Sequence, residues 1–334
     1  MYNKYRVQKK QVSNDNGQTW SDVTPAETRQ GEYIDSYQTL AECEYVDYST
    51  QYLTFESQSN NNTITFKKGQ NVTAKTISAS TDNGNTWTAY TSTTGGTTLA
   101  TLNNGEKLLV KGVNSAYGTG TYGGETYYNR FLGSGAFEVY GNVTSLIYGD
   151  DYEESGTTIG NYAFQGLFYN SDNLISAKNI VFPSTTIGSY SYGQMFHRCH
   201  NLVEAPSSIN VVNGNSACME MFRACSGLTT PPSLPSTTLG GGCYYWMFGG
   251  CTSLTTAPEL PATTLVNSCY GYMFNGCTNL NYIKCLATNI SSSSSLRYWV
   301  ENVASTGTFV KAASMNDWTT GNNGIPTNWT VQDA

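Results

Sequence analysis

Five times between residues 167 and 274 the chain writes the same two-residue phrase. It stands at Leu167–Phe168, Met195–Phe196, Met221–Phe222, Met247–Phe248 and Met273–Phe274, at intervals of 28, 26, 26 and 26 residues. A leucine follows seven residues after each start, at Leu174, Leu202, Leu228, Leu254 and Leu280. The second half of each unit reads VEAPSSINVV, TTPPSLPSTTL or TTAPELPATTL, an extended run whose prolines are tolerable at a strand end but not inside a central ladder. One unit holds about eight apolar positions, for example Leu254, Ala257, Leu260, Leu265, Cys269, Met273, Phe274 and Cys277. Burying the five large ones contributes roughly 8–15 kcal/mol. Ordering the backbone costs roughly 1–2 kcal/mol per residue, so a lone unit is unstable by a wide margin. Neighbouring units must share a core and complete each other's hydrogen bonds. The spacing therefore predicts a solenoid in which each unit contributes one short strand to a parallel sheet.

The cysteines follow the same cadence. The chain has nine, and Cys199, Cys225, Cys251 and Cys277 recur every 26 residues, with Cys243 and Cys269 starting a second column. Equivalent residues of a solenoid lie one above another, so a small, weakly polar side chain repeated in a column fills a core. A metal site is the alternative, but no C-x-x-C pair exists, and thiols in one column form a line rather than a tetrahedron. Disulfides between neighbouring units remain open where units approach closely.

The phrases IGNYAFQGLFYNSDNLISAKNIVFP and CYGYMFNGCTNL resemble the BspA-type leucine-rich repeat over residues 159–290. That resemblance implies a solenoid that binds or adheres. These units, at 26 residues, are longer than the 23 typical of that family, and their strand reads L-x-x-A-P-x-L-P. The layout as a whole is similar to tail-associated structural proteins of phages infecting Bacteroidales. Beyond Ile290, Trp299 keeps the cadence while the Cys and Leu of the phrase are gone. Residues 291–334 are read as a cap, a degenerate last unit plus a hairpin.

The N-terminal third has a different texture. Short runs with period-2 patterning (YLTFES, TITFKK, KTISAS, KLLVKG, FEVYGNV) are separated by Gly- and Thr-rich loops. SNDNGQTW at 13–20 and STDNGNTW at 80–87 are hairpin signals, because Gly tolerates the positive φ such turns need. Both resemble the Asp-box hairpin of sialidases and other β-propeller proteins, where it stabilises a turn away from the catalytic residues. Asp15, Gly17 and Trp20 and their counterparts Asp82, Gly84 and Trp87 are therefore read as structural. The fold class is mainly β. A β-module occupies residues 1–55, a β-sandwich-like domain 56–148, the repeats 149–290 and the cap 291–334, with an acidic linker, GDDYEESGTT, after the sandwich.

Charged residues are 12% and net charge is −7, with Lys and Arg scattered, which argues against binding nucleic acid through phosphates. No window of 18 apolar residues suggests membrane insertion, and no apolar segment follows the basic N-terminal residues as in a secretory leader. Reactive constellations are thin. His197 and His200 flank Cys199, but a column cysteine should be buried, and the histidines are read as surface residues. Asp150–Asp151 and Glu153–Glu154 read as a solvated linker rather than a glycosidase pair. No cofactor and no metal is expected, and the chain is read as non-enzymatic.

What remains is surface. Tyr192, Tyr244, Trp246, Tyr270 and Tyr272 lie beside the phrase, and Thr255 and Glu259 lie on the strand side. These are the candidate receptor contacts, with Trp246 and Tyr272 facing outward because Gln194 and Glu220 hold the same position in other units. An adhesive body without an export leader is expected in a virion. Its N-terminal module would join other virion proteins, and its repeats, as a homo-oligomer, would meet a host glycan or protein. A bacterial surface adhesin is the alternative, and a glycan-active enzyme a remote one.

Overall fold

The computed structural model describes residues 11–12, 21–22, 46–121, 123–155, 158–210 and 213–334. The chain divides into two units, Met1–Val46 and Asp47–Ala334. In the first, β1 (Gln11–Val12) pairs antiparallel with β2 (Ser21–Asp22). Asp15, Gly17 and Trp20 lie outside the described residues.

The second unit is mainly β, with several sheets, none of them closed. It opens with β3 (Leu53–Ser57), β4 (Asn62–Lys68), β5 (Thr76–Ser80), β6 (Thr88–Thr91), β7 (Thr97–Leu102), β8 (Lys107–Gly112), β9 (Asn129–Gly133) and β10 (Phe137–Asn142). One three-stranded sheet runs β7-β4-β9. It meets a six-stranded sheet through Phe55 of β3 and Phe131 of β9, whose rings lie 5.0 Å apart. Alternation drives this packing, since Ile64 and Phe66 of β4 are fully buried while the residues between them are not.

Both expected boundaries of the sandwich move. β3 pairs with β10 and β8 in the middle of the six-stranded sheet, so a boundary at residue 55 would cut a central strand with Leu53 and Phe55 in the core. At the other end, β12 (Leu174–Val181) runs parallel to β10 and completes the sheet order β12-β10-β3-β8-β5-β6. The first repeat thus continues the sandwich sheet, and Phe168 lies 6.1 Å from both Phe55 and Phe131. The acidic segment between them is helical rather than a loop: α1 (Ser145–Tyr148), a 3-10 turn at Gly149–Asp151 and α2 (Tyr152–Ser155). Asp150 accepts from Tyr52 Oη at 2.6 Å and from Lys111 Nζ at 2.7 Å, which ties that turn to the sheet.

Successive repeat units bond through their backbones in an alternating pattern. Tyr192, Gln194, Phe196 and Arg198 donate their N–H groups forward to Ala217, Met219, Met221 and Arg223, each at 2.9 Å. Between them Gly193, Met195, His197 and Cys199 donate back three residues, closing tight turns. The alternation demands positive φ at every fourth residue. Tyr190, Gln194 and Arg198 have φ of 56°, 55° and 60°, and Ser216, Glu220 and Ala224 repeat the series. Inside these turns the phenylalanines form one column. Phe168, Phe196, Phe222, Phe248 and Phe274 stand 5.3–5.7 Å from their neighbours with planes within 6° of parallel.

On the opposite side of the units the strands are shorter than expected. β11 (Thr158–Ile159) and β13 (Thr186–Ile187) pair in parallel, and single bridges join Ser176 to Glu204 and Glu204 to Thr230. Ala177, Ala205 and Ala257 each donate an N–H to the next unit. The equivalent residue 26 positions after Ala205 is Pro231, which has no N–H to give. Regular pairing returns in proline-free strands, β14 (Tyr282–Cys285), β15 (Thr308–Lys311) and β16 (Thr330–Asp333). These three run parallel, so the end of the chain continues the stack and forms no hairpin there. Trp299 fills the Met position, fully buried, and donates its indole N–H to Gly324 O at 2.8 Å.

Phe222 sits mid-column with a ring on each side, so Phe222→Ala leaves a cavity that rigid neighbours cannot close. Denaturant unfolding of the full chain should show a loss of about 3–5 kcal/mol, whereas Val203→Ala, at an exposed position, should change stability by less than about 0.5 kcal/mol.

Candidate functional site

The cysteine column is core. Cys199, Cys225, Cys251 and Cys277 are fully buried, and each thiol donates to the carbonyl of a column phenylalanine, Phe168, Phe196, Phe222 and Phe248, at 3.0–3.1 Å. All eight described cysteines are free thiols. Burial pushes Cys225 and Cys277 up to about 12, and Cys199 and Cys251 well above the ordinary value. A thiol held protonated beneath the surface is no nucleophile, whatever stands beside it in sequence.

The segment STDNGNTW at 80–87 is a turn device. Asp82 accepts from Ser80 Oγ at 2.6 Å, from Thr86 Oγ1 at 2.6 Å and from the Thr86 N–H at 2.9 Å. Those hydrogen bonds pull its carboxyl down to about 2. Gly84 has φ of +87° above the indole of Trp87, and Lys111 Nζ sits 4.1 Å from that ring's centroid.

The candidate contact residues separate into three groups. Tyr192, Tyr244 and Tyr270 are each 1% exposed and belong to a second interior column that begins with Phe164. The expectation that they meet a receptor is corrected: their positions alternate inward with the Phe column. Thr255 and Glu259 are exposed on the strand side, Glu259 paired with Lys284 Nζ at 3.1 Å. Trp246 and Tyr272 are half-buried and lie on the row of positive-φ residues, at φ of 57° and 56°.

That row is continuous. It runs Gln194, Glu220, Trp246, Tyr272 and Tyr298. Trp246 stacks on Tyr272 at 4.7 Å and 7°, and Tyr298 follows at 5.4 Å. Arg223 covers the indole of Trp246 at 4.3 Å, and Arg297 lies 5.8 Å from the centroids of both Tyr272 and Tyr298. A Cβ at Gly249 would run into the Trp246 indole, so that glycine is what lets the ring lie down. The ring faces are occupied from within, and edges, hydroxyls and guanidiniums are what the row presents. Tyr298, Arg223, Arg297 and Gly249 were not singled out by sequence. The cadence places Tyr298 26 residues after Tyr272, and that signal could have found it.

The other half of the row is polar and covered. Gln194 and Glu220 are 4% and 6% exposed, which corrects the premise that this position always faces out. Tyr128, from the sandwich, donates its hydroxyl to Gln194 Oε1, and Gln194 Nε2 donates to Glu220 Oε2 at 2.8 Å. Arg223 lies 3.2 Å from Glu220 Oε1. His197 is 6% exposed, not a surface residue, and its ring stacks on Tyr169 at 4.8 Å. Its Nδ1 lies 3.2 Å from Glu220 Oε2 but outside hydrogen-bonding geometry, so among the described residues that buried nitrogen has an ion-pair neighbour and no hydrogen-bond partner. Burial holds the His197 ring below its ordinary value despite Glu220. Burial raises the Glu220 carboxyl, yet His197, Gln194 and Arg223 outweigh it and keep the group below its usual range. His200 is exposed, 2.6 Å from Asp172.

No family model, no curated protein and no solved structure matches this chain. Among the described residues no helix is long and apolar enough to cross a membrane, and no group of His, Cys, Asp and Glu is arranged to hold a metal ion.

Two predictions come from this site. Iodoacetamide at pH 8 should leave the eight described thiols unmodified in the native chain and label all of them in denaturant, as read by peptide mass spectrometry. Unfolded His197 takes a proton near pH 6.5 that the folded site resists, so its stabilising contribution is full above that pH and falls as pH drops below it. Glu220 adds a second loss as pH falls below about 4.5. The urea midpoint should be lower at pH 5.5 than at pH 7.5, and His197→Phe should shrink that difference.

Proposed function

We propose that this chain is a non-enzymatic recognition protein of a phage particle, with residues 159–334 forming a solenoid of the BspA leucine-rich-repeat type that contacts the host surface. The observation that carries this reading is the row Trp246, Tyr272 and Tyr298 with Arg223 and Arg297, a set of large side chains held outside a closed core. Aromatic and arginine side chains clustered on one rigid surface are the usual anchors of a binding interface.

The interior supports a contact role over chemistry. The thiols are buried and protonated, and the imidazole of His197 packs on Tyr169 beneath the surface. Eight free cysteines also fit a chain that folds in a reducing cytoplasm and leaves by lysis. The virion setting rests on the resemblance in layout. In that reading residues 1–46 join the chain to other virion proteins, and the repeats, in a homo-oligomer, face a glycan or protein of the host.

Mass spectrometry of purified virions should detect the chain, and labelled full-length protein should bind host cells and slow phage adsorption. Trp246→Ala combined with Tyr272→Ala should weaken cell binding at least tenfold while leaving the unfolding midpoint within a few degrees. Recovery from bacterial envelopes and never from virions would move the protein to the surface-adhesin class. Undiminished cell binding by the double variant would remove the row from the interface.

A further inference from the structure

Beside the aromatic row the surface sinks into a depression of about 320 Å³, lined by Tyr169, His197, Arg198, Glu220 and Arg223 among others. Its lining is unlike the same place in other units. The pair His197–Arg198 becomes Arg223–Ala224, then Gly249–Gly250, Asn275–Gly276 and Glu301–Asn302 in the units that follow. Among the described residues, only here do two guanidiniums, an imidazole and a carboxylate converge.

We infer that this depression binds a hydroxylated carboxylate, a sugar acid of the uronic or sialic class. The inference deepens the recognition reading above and rests on it. Charge is the first argument. Arg198, exposed at the rim, takes part in none of the ion pairs among the described residues. Arg223 and Glu220 compensate each other at 3.2 Å, so the lining carries one cation in excess on a chain of net charge −7. A carboxylate matches the fork of Arg198 in two parallel hydrogen bonds.

Lone pairs are the second argument. Glu220 Oε2 faces both Gln194 Nε2 and His197 Nδ1, whereas Oε1 has Arg223 alone. A carboxylate oxygen accepts two hydrogen bonds, so Oε1 has room for a donor, and a ligand hydroxyl supplies one. A simple anion satisfies the guanidinium and leaves the carboxylate facing a like charge. A neutral sugar satisfies the carboxylate and leaves Arg198 idle. A sugar acid answers both.

The test uses the full chain with glucuronic acid and N-acetylneuraminic acid as probes, and glucose, acetate and inorganic phosphate as controls, read by ligand-observed NMR titration. Saturable binding of at least one sugar acid, at least tenfold tighter than every control and weakened at least tenfold by Arg198→Ala, is the expected result. Arg198→Lys should recover part of the affinity, since it restores the charge without the fork. No saturable binding of either acid, binding of phosphate or acetate as tight as the sugar acids, or an Arg198→Ala chain that binds unchanged overturns the inference. Host-cell binding separates the two levels: a chain that binds cells but no sugar acid loses only this inference. One that binds the sugar acid but no host cell loses the recognition reading instead.

Discussion

The alternation of backbone hydrogen bonds is the constraint on which the rest of this structure depends. In the Met-Phe segment every second N–H reaches into the next unit, and those between close a turn three residues back. Neither set is sufficient alone. The turns use half of the donors, and in a single unit the other half would have no protein acceptor. Each unit therefore needs its successor, and equivalent residues come to lie in columns. Phe168 through Phe274 form one, the donor thiols under them a second, and Tyr192, Tyr244 and Tyr270 belong to a third.

The same alternation decides what can be exposed. Positive φ at every fourth residue turns one side chain per turn away from the columns, and the middle position of each unit builds the outer row. Its chemistry varies because no column constrains it: Gln194, Glu220, Trp246, Tyr272 and Tyr298 share a backbone conformation and little else. Where the sandwich reaches over the first of these, Tyr128 covers Gln194 and the row becomes a buried polar network. Further along, the row is half-buried and becomes a stack of rings and guanidiniums. The recognition surface proposed here and the depression beside it are the two ends of one structural device.

The sandwich supplies the beginning that a stack requires. β12 pairs with β10, and Phe168 reaches Phe55 and Phe131, so the first repeat meets a finished sheet and a filled core rather than solvent. At the far end Trp299 and Trp318, 5.9 Å apart, close the columns with larger rings, while β15 and β16 extend the sheet by two more strands. Proline limits the pairing in between, since Pro231 stands where its neighbours donate.

The 26-residue cadence by itself pointed to the burial of the cysteine column, and the segment STDNGNTW to the turn at Asp82, Gly84 and Trp87. Both were legible because periodic burial and turn chemistry are local. The cadence also put Trp246 and Tyr272 on the outer row, since Gln194 and Glu220 share their register, but it left Tyr192, Tyr244 and Tyr270 among the surface candidates. Their register turns inward because of hydrogen bonds made to residues 25 positions on, which set the sign of φ along each unit. Nor could the cadence reveal that Glu220 is covered, because Gln194 and His197 reach it from the preceding unit, and Tyr128 backs Gln194 from the sandwich. The domain borders were hidden for the same reason: a strand's partners, not its own residues, decide which sheet it joins, and β3 and β12 find theirs on β10.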